Sequence, residues 1–249
     1  MHSSQSASNN RANRGGLSTE TAKQIQTYNQ HHDFNSRAGI WGGGCVSTVQ
    51  MAFTEQGHGY GLVQHGMIEP FLLQLYAEMA HVCTRGTWTC FESRSFTSDS
   101  AKVTPAGGYA SPAQMVVPLH TKFMLVFEDP ISGSLQLCKA IPRSWLQPGE
   151  RVVVRRAPTG RGRVSLTLSS QLATSSTITA NVTLPALTAS SAAPEAASLF
   201  LRAPKAWEMS SVTANGKPFT NWNSAQEVVT LSWPDEGLSV LLEVHYRKK

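Results

Sequence analysis

Three glutamates stand where a carboxylate can do chemistry. Glu92 lies in a run rich in threonine and aromatics, just past a strongly amphipathic segment. Glu55 stands beside Gln56-Gly57-His58-Gly59-Tyr60, whose glycines let a backbone approach a ligand closely, and Glu69 falls in the first turn of an expected helix. Two carboxylates flanking a glycosidic bond hydrolyse it, one protonating the leaving oxygen while the other activates water or attacks the sugar. Trp41 and Trp88 offer flat faces that pack against the C–H groups of a sugar ring. His58 and His65 can orient a carboxylate or donate to a hydroxyl, and Arg85 can hold an acid group. The set read for catalysis is therefore Glu92 and Glu55, with Trp88, Trp41, His58, His65, Glu69 and Arg85 for substrate. Both catalytic glutamates are expected on one face of the helical part, around a concave surface. Plainer roles exist for each. Glu92 can pair on the surface with Arg85 or Arg94, Glu69 can stabilise a helix dipole by about 0.3–1 kcal/mol, the histidines can be solvated, and the tryptophans can pack in a core or at its rim.

The four cysteines, Cys45, Cys83, Cys90 and Cys138, have neither a CxxC spacing nor the paired histidines of a zinc site, so no metal is expected. A bridge between Cys83 and Cys90 would close a short loop; free thiols at the ends of packed elements are the commoner arrangement. No phosphate loop, dinucleotide fingerprint or nucleophile elbow occurs, and no cofactor is expected. The sequon Asn181-Val182-Thr183 is a three-residue pattern that arises often by chance.

The elements that must position these residues change character near residue 130. Before it the apolar spacing is helical. Ile68, Leu72, Leu75, Met79 and Val82 form one stripe, with Glu69, Gln74, Glu78 and His81 on the polar side, and Pro70 suits the first turn. Met115, Leu119, Phe123 and Val126 suggest a second helix entered through Ser111-Pro112, which Pro118 kinks or restarts. Residues 18 to 30 suggest a weaker polar helix capped by Ser18 or Thr19. A glycine-rich loop is expected between the helices, from Gly42 to Gly66. After residue 130 the period becomes two, as in Val164, Leu166 and Leu168, in Ile178, Ala180, Val182 and Leu184, and in Leu238, Val240, Leu242, Val244 and Tyr246. Asn215-Gly216 is a hairpin signal, and about eight strands at this spacing argue for an antiparallel sandwich. The fold class expected is thus α+β, with a polar disordered tail over 1–17, a helical part over 18–130 and a β-sandwich over 131–249.

Helical hairpins followed by a sandwich resemble the C-terminal end of six-hairpin glycosidases, whose catalytic domain is an (α/α)6 barrel. The segment Gly86-Thr87-Trp88-Thr89-Cys90-Phe91-Glu92 is similar to the Gly-x-Thr-Thr-x-Trp-Glu-like motif of their α-L-rhamnosidase-like members, with Trp88 where that pattern has a threonine. Ala140-Ile141-Pro142-Arg143-Ser144-Trp145-Leu146, Arg156-Ala157-Pro158-Thr159 and Gly162-Arg163-Val164-Ser165 look like the sandwich that follows such barrels. The resemblance implies that Glu92 is the general base of an inverting mechanism. It also implies a missing portion, because residues before 130 have room for only about three or four helices of ordinary length and six hairpins need more.

The function expected is a C-terminal fragment of a glycoside hydrolase acting on poly- or oligosaccharide, inactive or weakly active alone. The alternative is a carbohydrate-binding or structural β-sandwich module without catalysis. The partners expected are carbohydrate and the missing N-terminal barrel portion. A net charge of +5 comes from scattered residues, and the densest group, Arg151, Arg155, Arg156, Arg161 and Arg163, has no interleaved aromatics, so no nucleic acid is expected. No stretch approaches the roughly 20 apolar residues that span a bilayer, so no membrane partner is expected. Cellular location does not follow from these residues.

Overall fold

The computed structural model describes residues 18–28, 49–51, 55–96, 103–130, 132–186, 196–233 and 236–249. The tail expected over 1–17 lies outside them. The chain is α+β and divides into two compact units, residues 1–124 and 125–249.

The first unit holds helices α1 (Thr19–Tyr28), α2 (Glu55–Gln64), α3 (Ile68–Ala77) and α4 (Ser111–Leu125). Ser18 Oγ accepts from the Thr21 N–H and so caps α1. Helix α2 replaces part of the glycine-rich loop expected from composition. Its glycines lower helix propensity by about 1 kcal/mol each, yet a Cβ on Gly59 would stand 2.3 Å from Nε2 of His120. Glycine there lets α2 press against the fully buried imidazole of α4. That ring also lies 5.4 Å from Phe71 of α3, and Phe123 meets Tyr60 of α2 edge-on at 5.2 Å. Helix α4 continues through Pro118, neither ending nor starting there.

On α3 the buried face is Ile68, Phe71, Gln74, Leu75 and Ala77, followed by Glu78. The stripe is therefore rotated from the one expected. Leu72 and Met79 are only half-buried, and Gln74 and Glu78, expected on the polar side, are fully buried. Phe71 drives the rotation, since turning that ring inward carries its i+3 and i+7 neighbours with it. A π-turn over Glu78–Val82 ends the helix, with the Cys83 N–H donating to the Glu78 carbonyl at 3.3 Å.

Beyond it lies an element the sequence reading lacked. Strands β1 (Val49–Met51), β2 (Phe91–Phe96) and β3 (Val103–Tyr109) form an antiparallel sheet in order β1-β2-β3. Residues 18–130 are thus not purely helical. Cys83 and Cys90 are joined by a disulfide, against the free thiols expected as the commoner case.

The second unit opens with β4 (Val126–Glu128) and β5 (Leu135–Leu137), and a 3-10 turn over Arg143–Leu146 leads into the long strands. These are β6 (Arg151–Thr159), β7 (Gly162–Gln171), β8 (Thr177–Leu184), β9 (Ala197–Phe200) and β10 (Trp207–Ala214), then β11 (Lys217–Pro218), β12 (Trp222–Asn223), β13 (Val228–Leu231) and β14 (Leu238–Lys248). One sheet has the order β11-β10-β14-β8-β7-β6 and the other β12-β13-β9-β5-β4. Pairing is antiparallel except between β5 and β9. Register turns the period-two pattern into rows. Val154, Leu166, Val182 and Val240 are successive partners across four strands, as are Val152, Leu168, Ala180 and Leu242. All eight are buried, each worth roughly 1.5–3 kcal/mol for the larger side chains. Asn215 and Gly216 take φ of 48° and 76°, the positive values their two-residue hairpin needs. Arg151, Arg155, Arg156 and Arg163 are exposed and Arg161 is half-buried.

Candidate functional site

Glu92 lies on strand β2, not in a loop, and is half-exposed. Phe91 and Ser93 pair with Tyr109 and Ala106 of β3, and a register shift between those two pairs falls at Glu92. Phe91 stacks on Tyr109 across the ribbon with centroids 4.4 Å apart. Trp88 is 53% exposed at φ 56°, in the loop that the Cys83–Cys90 bridge closes. Hydrogen bonds from Thr84 to Thr87 and Thr89 brace the loop from within. Arg85 is exposed on the same loop and makes no ion pair with Glu92.

The histidines serve helix packing. His58 Nε2 is hydrogen-bonded to Gln26 Oε1 of α1 at 2.8 Å, and His65 Nδ1 to Thr19 Oγ1 at 3.1 Å. Both line a hollow of about 200 Å³ with Ile25 and Gly61. Burial holds His58 below the ordinary histidine value, and a hydrogen bond to Gln74 opposes that shift. Glu69 is exposed in the first turn of α3, as a dipole-stabilising acid is. Glu55 opens α2, but its side chain and all of Trp41 lie outside the described residues. Behind the loop, Glu78 and the sulfurs of Cys83 and Cys90 lie within 4.8 Å of one another. The sulfurs are bonded to each other and offer no thiolate to a cation.

A cleft lies in the second unit, where no site was expected from the sequence. It has a volume of about 700 Å³, and Arg143, Trp207, Trp222, Glu227, Tyr246 and Arg247 are among its lining residues. Arg143 donates from both terminal nitrogens to the two carboxylate oxygens of Glu227 at 2.7 and 2.8 Å, and also to the Ala203 carbonyl. Glu227 sits at φ 55°, a costly conformation for a side chain of its size, held by this fork and by its backbone bonds to Leu201 and Ser224. A β-bulge in β10 between Met209 and Ser211 bends the wall, and Ser224 Oγ donates to the Met209 carbonyl across it. Isolated tryptophans at strand starts carry no periodic signal. The only sequence hint was an aromatic among charged or amide neighbours, Lys205-Ala206-Trp207-Glu208 and Asn221-Trp222-Asn223.

No protein-family model and no curated protein matches this chain. Its structural neighbours are glycoside hydrolases. One, described simply as a glycoside hydrolase, superposes with a TM-score of 0.36 at 11% identity over 80% of this chain and 33% of its own. Another is a GH127 β-L-arabinofuranosidase from Geobacillus stearothermophilus T6, at 0.34 and 12%, over 79% of this chain and 30% of its own. This chain thus spans about a third of the length of each. Neither is described as a rhamnosidase, so the narrower likeness drawn from Gly86 to Glu92 has no counterpart among them. At these TM-scores neither neighbour carries an argument about mechanism.

Proposed function

We propose that this chain is the C-terminal part of a glycoside hydrolase acting on poly- or oligosaccharide, inactive or weakly active by itself. The observation that carries the reading is where apolar surface is left uncovered. Of the eight large apolar side chains exposed among the described residues, Ile25, Leu73, Tyr76, Trp88, Tyr109 and Met115 belong to the first unit. Leu73 and Tyr76 stand three apart on the outer face of α3, and Met115 is on α4. Helices with apolar residues on both sides suit a position between neighbours, here further hairpins of a barrel. In this reading Glu92 activates water, and the acid that protonates the leaving group comes from those hairpins. Reading the coding sequence upstream of Met1 tests the first half, which requires in-frame helical hairpins there. Expressing the extended chain tests the second. Glu92→Gln is expected to lower its turnover by about 10²–10⁴, as removal of one acid–base group does, and unchanged turnover rejects the role.

The 700 Å³ cleft favours a second reading, in which the sandwich binds carbohydrate without chemistry. It joins two tryptophans to a bidentate guanidinium–carboxylate pair, which is what sugar faces and hydroxyls require.

A further inference from the structure

We infer that this cleft selects an acidic saccharide, a short oligosaccharide bearing uronate groups; the inference rests on the carbohydrate-binding reading of the sandwich and adds its ligand class. The volume of about 700 Å³ lies within the range of about 300–1,000 Å³ typical of small-ligand sites. Trp207 opens β10 of one sheet and Trp222 forms β12 of the other, and both are half-buried, so each holds part of its ring in place while leaving part open to a ligand. Between them the Arg143–Glu227 fork supplies donors and acceptors. Each carboxylate oxygen keeps lone-pair capacity after accepting from Arg143, which suits a hydroxyl.

The charges decide the class. Arg143 is balanced by Glu227, and Arg247 by Glu208 at 2.6 Å. What remains on the cations' side is Lys205 on the lining and Lys248, whose ammonium lies 5.5 Å from the centre of the Trp207 ring. Neither has a carboxylate partner among the described residues. Lys249 also lines the cleft. Lys205 and Lys249 on the lining, with Lys248 over the Trp207 ring nearby, thus leave the cleft cationic beyond its paired Arg–Glu groups, which attracts a sugar carrying carboxylates. Tryptophan with lysine also suits a single-stranded nucleic acid. Hydroxyl count argues against that: the carboxylates of Glu227 and Glu208, paired with Arg143 and Arg247, still accept from hydroxyls, and a hexuronate unit presents several where a nucleotide within a strand presents one at most.

The test is titration of the whole chain, followed by tryptophan fluorescence and calorimetry, with trigalacturonate, the matching neutral galactose trimer and a short oligouridylate. Trigalacturonate is expected to bind at least about fivefold more tightly than the neutral trimer, with an advantage that shrinks as salt rises. Trp222→Ala is expected to weaken it about tenfold, as loss of an anchoring aromatic does, and Lys205→Gln to bring its affinity toward that of the neutral trimer. Both positions are accessible and Trp222 lies on a two-residue edge strand, so circular dichroism should report intact folding in each variant. Equal binding of the two trimers overturns the acidic preference and leaves the carbohydrate reading standing. Binding of neither overturns both. Tighter binding of oligouridylate, or uronate binding untouched by Trp222→Ala, also overturns the inference.

Discussion

Lys139 has the most displaced basic side chain on the second unit: burial pulls its ammonium from 10.5 down to about 8, Asp129 opposing part of the shift. Between pH 8 and 10.5 the unfolded chain therefore holds a proton at this lysine that the folded chain has released, so the Lys139 contribution to stability climbs across that window and is level below it. Lys139→Met is expected to flatten this rise and to add up to about 2 kcal/mol at neutral pH, after a discount for the part of the side chain left in water. Urea melts of both proteins at pH 7 and 10 measure it, and parallel curves would contradict the burial argument. Legibility at this scale was uneven. Glu92 was findable as an acid in a suggestive run, but its side of the ribbon depends on the pairing of Phe91 with Tyr109, which no local pattern encodes. His58 and His65 read as loop histidines because α2 read as loop, and packing assigned them to Gln26 and Thr19 instead. Trp207, Trp222 and Glu227 belong together only once two sheets are stacked.

Helix α2 makes the argument for elements, since its glycines answer to different neighbours. A Cβ on Gly57 meets nothing within 4 Å, whereas one on Gly59 runs into His120. Gly57→Ala is therefore expected to stabilise by roughly 0.5–1 kcal/mol through helix propensity, and Gly59→Ala to destabilise by about 1–3 kcal/mol through overpacking. Thermal melts that moved in the same direction for both would refute this account of the helix. The disulfide is the other device. Closing the short loop between Cys83 and Cys90 restricts the unfolded chain, and replacing both by serine should cost about 2–3 kcal/mol. Reductant should lower the melting temperature of the natural chain and leave that of the double variant unmoved. The long strands were legible because each buries every second residue. Strand β3, Val-Thr-Pro-Ala-Gly-Gly-Tyr, was not, because it alternates in no such way and its sheet draws in Val49 opposite Ser95, far away in sequence.

At the scale of the molecule the two units differ in how completely they cover themselves. Among the described residues, the second buries its apolar rows and leaves Val153 and Leu241 as large exposed apolar side chains, while the first exposes six. The whole chain should bind an environment-sensitive hydrophobic dye, and substituting Leu73, Tyr76 and Met115 by glutamate should remove about half or more of that signal without lowering the melting temperature. A dye signal untouched by the triple variant would contradict the fragment reading. The α+β class followed from the change of period near residue 130, yet the three strands of the first unit escaped notice because sheet pairing is non-local. One feature of the second unit supplies a clock. Cys138 is fully buried, is not in the disulfide, and burial pushes its thiol up to about 12. An alkylating reagent therefore cannot reach it until the sandwich comes apart around β5, so the rate of mass gain at this one sulfur counts opening events of the native protein, with no denaturant added.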